Sequence, residues 1–113
     1  MQFLMLVCVD TEPIAPSSPG MEVEEWVEKM DNSGVRLIGD RIQPERAATT
    51  VRVRADEVLV TDGPFLETKE VLAGFDVLEC RDLAHAIEVA AAHPMARAGV
   101  IELRPFWDWD SEG

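Results

Sequence analysis

The chain has 113 residues, and at 47% hydrophobic it suits one domain with a modest core, since chains of this size bury about two-thirds of their unfolded surface. Ten Lys and Arg stand against 22 Asp and Glu, a net charge of −12 that repels phosphate backbones and anionic membranes and argues against nucleic-acid and membrane partners. No apolar run nears the ~20 residues needed to span a bilayer, and a cytoplasmic protein is expected.

MQFLMLVCV has no basic n-region and no small-residue cleavage site and meets Asp10 after nine residues, so it reads as a strand over residues 2–9 rather than a targeting segment. Its continuous apolar run fits a central strand covered on both faces. TEPIAPSSPG is a connection in which Ser18 reads as a helix N-cap and Pro19 as the first helical residue. Glu22, Glu24 and Glu25 then lie near the positive end of the helix dipole. Val23, Trp26, Val27 and Met30 form one apolar stripe, and Gly34 ends the helix.

Val35 to Ile38 reads as a short strand, and GDRIQPERAA as a polar connection into TTVRVR, where Val51 and Val53 alternate with Arg52 and Arg54. Ala55-Asp56 turns the chain into EVLVT, without the glycine usual in a tight hairpin. After the polar loop TDGPFLETKE, GFDVLEC is a further strand. Asp82 caps a second helix with Leu83, Ile87, Ala90 and Ala91 as its inward stripe, and this helix stops near Ala92 because the residue before Pro94 is pushed out of helical geometry. GVIELRP is the last strand, with Ile101 and Leu103 on one face and Glu102 and Arg104 on the other.

The order β, α, β, an added hairpin, then β, α, β predicts an α+β, ferredoxin-like βαββαβ fold over residues 1–105, followed by an acidic, aromatic tail over 106–113. Both helices then cover one sheet face. The other, lined by Arg52, Arg54, Glu102 and Arg104 between apolar neighbours, is expected to meet a second subunit in a homodimer. Cys8 and Cys80 sit in strand-like runs and fall on the order of 20 Å apart in this topology, too far to bridge. Neither a CxxC pair nor a His cluster suggests a metal site, and no cofactor is expected.

TDGPFLETKEVLAGFDVLE followed by AAAHPMARAGVIELRPFW resembles the DGPF group of the YCII-related family. The resemblance implies a dimeric α/β barrel with a cleft between sheet and loops, usually of unknown function. Some members are similar to small lactone-processing or dehydrochlorinating enzymes, and DGPF proteins are often encoded beside alternative sigma factors. Family members suspected of catalysis use a His in the first helix together with an Asp. Here that helix reads EEWVEKM, without His, while His93 stands where relatives tend to have Asp before Pro.

An acid-base pair would therefore be rebuilt from Asp62 and His93. Asp62 also reads as a residue bonding its own turn, and His93 as a cap on the helix end. Phe65, Glu67, Thr68 and Lys69 are the loop's candidate ligand contacts, with Thr68 readable equally as a helix cap. Glu102 and Arg104 can reach each other or a ligand carboxylate, and His85 reads as a surface residue. Two functions follow: a small-molecule cleft supporting acid-base chemistry of isomerase or lyase type, or a non-catalytic regulatory module linked to sigma-factor signalling. The sequence leaves open whether the protein is an enzyme.

Overall fold

The computed structural model describes residues 1–10, 20–63 and 70–108. Strand β1 (Gln2–Asp10) runs through the middle of a four-stranded antiparallel sheet, bonded on one side to β5 (Glu70–Glu79) and on the other to β6 (Val100–Pro105). The edge strand β2 (Arg36–Arg41) lies outside β5. The spatial order β2-β5-β1-β6 is that of a ferredoxin-like fold. Two longer helices, α1 (Val23–Asn32) and α2 (Leu83–Ala91), supply its helical layer, and a single turn, α3 (Met95–Ala98), leads into β6. Strands β3 (Thr49–Arg54) and β4 (Glu57–Asp62) form the added hairpin, a separate two-stranded sheet between β2 and β5.

Strand alternation decides what is covered. Phe3, Met5 and Val7 of β1 point to the helices, where they join Leu78, Trp26, Met30, Ala86, Val89 and Ala90 in one core. Trp26, Phe3, Met5 and Leu78 are fully buried, each a stabilisation of about 1.5–3 kcal/mol. The other face of β1 carries Leu4 and Leu6, opposite Val77 and Phe75 of β5, and these are only half-buried. The run MQFLMLVCV is continuous because both faces are apolar, but helices cover only one of them.

Local signals set several boundaries. Helix α1 ends in a Schellman motif, with the Val35 amide donating to the Met30 carbonyl, the Gly34 amide to the Asp31 carbonyl, and Gly34 at φ +75°. Asp82 caps α2 by accepting from the His85 amide at 2.8 Å, and α2 stops at Ala91, as Pro94 requires. The hairpin turn places Ala55 and Asp56 at φ +49° and +64°, the two left-handed residues of a type I′ turn made without glycine. No disulfide joins Cys8 and Cys80.

The structure corrects four expectations. Helix α1 begins at Val23 with Glu22 at its N-cap, which makes no side-chain capping bond; Ser18 and Pro19 lie outside the described residues. Strand β2 reaches Arg41, so Gly39, Asp40 and Arg41, expected in a connection, pair with β5. Helix α2 buries Ala86, Val89 and Ala90, whereas Leu83 and Ile87 are 52% and 53% exposed; small residues let a helix lie close to its sheet, and the larger ones turn outward. Arg52 and Arg54 sit on the hairpin rather than on the open face of the main sheet, where only Glu102 and Arg104 of the expected four remain.

Candidate functional site

A cleft of about 990 Å³ opens between α1, the end of β1, the β2–β5 edge and the link from α2 to α3. Trp26, projecting inward from α1, closes its floor. The indole Nε1–H donates to the Val89 carbonyl of α2 at 2.9 Å, tying the two helices together. Against it stands His93, one residue past the α2 C-cap, with ring centroids 4.7 Å apart and planes at 70°, an edge-to-face arrangement.

His93 as a residue is 5% exposed. Its Nδ1 accepts from the Met95 backbone N–H at 3.0 Å, a bond only an unprotonated Nδ1 can make, so in the neutral ring the proton sits on Nε2. Every fully buried side-chain nitrogen or oxygen among the described residues has a partner, so Nε2, which bonds none of them, keeps some solvent access on a residue that lines the cleft. Burial lowers the His93 pKa below its ordinary 6.5. The ring is therefore held as a neutral imidazole with its proton on Nε2, and not as a charged cap on the helix dipole.

The opposite wall is a buried ion pair. Arg36 Nε donates to Asp76 Oδ1 at 2.7 Å, Nη1 to both Asp31 oxygens at 3.1 and 3.3 Å, and Nη2 to the Gly39 carbonyl at 2.8 Å. Register places Asp76 opposite Met5, on the helix-covered face of β5. Burial raises the Asp76 pKa above the usual carboxylate range, opposed by the bond and charge of Arg36. Burial also works against the Arg36 charge, but the hydrogen bonds and charges of Asp76 and Asp31 outweigh it and leave that pKa raised. Gly39 makes room for the pair, because a Cβ there would fall inside contact distance of Asp76 Oδ1 and the Phe75 carbonyl.

A model of the YCII-related domain matches residues 14–110. The chain belongs to the YCII-related family. It is 42% identical over 67 residues to an uncharacterized protein of Rhizobium meliloti (strain 1021), a match covering 58% of this chain and 54% of that protein. The chain thus spans about half the length of the relative it matches.

In this YCII-related chain the four expected site residues that are described do not come together in one site. His93 lines the cleft. Asp62 ends β4, in register with Thr49, and is exposed; it is not among the residues lining the cleft. Glu102 and Arg104 do meet, through a 2.8 Å ion pair, but they share the open face with Leu6 and Leu4, on the side of the sheet away from the cleft. With Arg104 71% and Glu102 48% exposed, that pair contributes little, ~0 to 1 kcal/mol. Phe65, Glu67, Thr68 and Lys69 lie outside the described residues. His85 is half-buried and accepts from the Arg81 amide. Among the described residues no group of His, Cys, Asp and Glu could hold a metal ion, and no helix is long and apolar enough to cross a membrane.

Sequence reasoning passed over Arg36 and Asp76. A signal for Asp76 was present, since a charged residue between Phe75 and Val77 in GFDVLEC falls on the strand face that must point to the core.

Proposed function

We propose that this YCII-related protein binds a small organic molecule in the cleft beneath α1, with His93 donating a hydrogen bond to it and a carboxylate exchanging the proton, in chemistry of isomerase or lyase type. The observation supporting this is the His93 ring itself, a buried neutral imidazole on the cleft wall, fixed through Nδ1 with its proton on Nε2. A neutral imidazole whose Nδ1 lone pair is already engaged can only donate through Nε2–H, so it polarises a ligand oxygen while a carboxylate takes the proton. Two carboxylates compete for the second place: Asp62, suggested by the DGPF motif, and Asp76, which lines the cleft. The protein is further proposed to act as a homodimer joined through the open sheet face.

A thermal-shift screen of small organic compounds, repeated on His93→Gln, Asp62→Asn and Asp76→Asn, tests the site. The shift given by any hit should shrink in His93→Gln and in one of the two carboxylate variants. Hits indifferent to His93→Gln would remove the cleft from the reading. A second reading is a binding module without catalysis, acting as an accessory to alternative sigma-factor signalling. It is favoured by α1 delivering Trp26, and no His, to the cleft; binding without turnover of any hit would select it.

A further inference from the structure

The hairpin carries an exposed apolar face. The register pairs Val51 with Val60 and Val53 with Val58, which puts four valines on one side. They are 60%, 60%, 56% and 63% exposed in that order. The opposite side presents Thr50, Arg52, Arg54, Glu57 and Thr61 around Leu59. That division is the pattern of a sheet with one buried face, yet a two-stranded hairpin alone is at best marginally stable in water. Its base is nevertheless pinned, by the Gly63 amide on the Ala48 carbonyl at 2.8 Å and the Thr50 hydroxyl on the Gly63 carbonyl at 2.7 Å.

We propose that β3–β4 is a dimerisation arm that lays its valine face on a second copy of this chain. The inference rests on the homodimer proposed above and adds the arm to its interface. Four valines at this exposure offer roughly 150–300 Å², short of the ~800 Å² per partner of a stable interface, so the arm must work alongside another apolar surface. The same chain supplies one. The open sheet face bears Ile38, Leu72 and Val100, exposed at 60%, 42% and 37%, beside the half-buried Leu4, Leu6, Phe75 and Val77. A two-fold axis presents both patches twice, and only a second copy is certain to carry both.

Sedimentation equilibrium on four proteins tests this. The unaltered chain should sediment at twice 12.6 kDa at micromolar concentration. Val53→Lys/Val58→Lys should weaken the dimer at least about tenfold, Ile38→Lys on the open face should do the same, and Leu59→Lys on the arm's polar side should leave it intact. Should the double variant misfold, amide hydrogen exchange on the unaltered chain decides instead: residues 49–62 should exchange slowly where the dimer forms and faster on dilution. An unaltered chain that stays monomeric overturns both the homodimer and the arm. A dimer broken by Ile38→Lys but untouched by Val53→Lys/Val58→Lys, or arm amides that exchange fast in the dimer, overturns the arm alone.

Discussion

Arg36→Met should destabilise the fold by about 3–5 kcal/mol at pH 7, the cost of leaving a buried charge without its partner. Only 9% of the Asp76 side chain reaches solvent, so water cannot take over the role of Arg36. The lost bonds to Asp31 and the Gly39 carbonyl matter less, because Asp31 is 47% exposed. Asp76→Asn keeps an acceptor near Arg36 and should cost about 1–2 kcal/mol. The double variant, with no charge left to strand, should be more stable than the sum of the single losses implies, by at least about 1 kcal/mol. The pH dependence has a definite sign. The folded Asp76 pKa already lies above the unfolded 3.8, so this residue favours the folded state most at low pH, and its contribution is lost as pH rises through the folded pKa. Removing Arg36 takes away what holds that pKa down. The gap between Arg36→Met and the unaltered chain should therefore close as the pH falls from 7 toward 4.5. Urea unfolding at several pH values, on the two single variants and the double, measures all of this. Additivity within ~0.5 kcal/mol, or a gap indifferent to pH, would show that the pair is not the buried, coupled unit described here.

His93 titrates in the other direction. Its folded pKa lies below 6.5, so the unfolded chain binds its proton first, and the stability this ring contributes is full above 6.5 and is lost as the pH falls toward the folded pKa; thermal melts between pH 5 and 7.5 should flatten in His93→Gln, and parallel curves would count against a buried neutral ring. Trp26→Phe should cost about 2–3 kcal/mol, from lost volume and a Val89 carbonyl left without its donor, read by urea midpoint. Gly39→Ala should destabilise by about 1–3 kcal/mol by forcing Asp76 aside; a neutral result by the same measurement would mean that β2 can shift freely. Ala55→Asn with Asp56→Gly, better suited to the left-handed turn, should stabilise the hairpin by up to about 1 kcal/mol, visible as slower amide exchange at 51–60.

What the sequence revealed follows from how far each signal reaches. The Asp82 cap, the Gly34 stop and the two-residue hairpin turn are decided within a few residues, and each is found where the pattern placed it. The βαββαβ order needed only strand and helix periods. The cleft wall did not announce itself in the same way, because Arg36 and Asp76 are forty positions apart (|i−j|=40) and meet only once β2 has paired with β5. The α2 face misled for a different reason. Leu83, Ile87, Ala90 and Ala91 make one helical stripe, and Ala86, Val89, Ala90 and His93 make another a little further round. Hydrophobicity ranks the first higher, while the close packing of α2 against Trp26 and the sheet selects the second, and that selection turns His93 inward.

The same geometry bears on what the cleft can hold. An arginine in a cleft invites an anionic ligand, but Arg36 already makes four hydrogen bonds with its five N–H donors, to Asp76, Asp31 and the Gly39 carbonyl. Around it the described lining residues bring Glu22, Glu24, Glu28, Asp31, Asp40 and Asp76 against Arg36 and Arg41 alone, six carboxylates to two guanidiniums, a balance of −4 with His93 neutral. A single negative charge held ~8 Å from that excess in a water-like dielectric is disfavoured by about 2 kcal/mol, and by under half as much at physiological salt, where the Debye length is itself ~8 Å. The cleft should therefore select neutral or cationic molecules. For any scaffold that binds, the carboxylate should be roughly thirtyfold weaker than its amide at low ionic strength, narrowing to several-fold at 0.15 M salt. Isothermal titration of such a matched pair at two salt concentrations makes the comparison, and a carboxylate that binds more tightly than its amide would mean that cations outside the described wall govern the site.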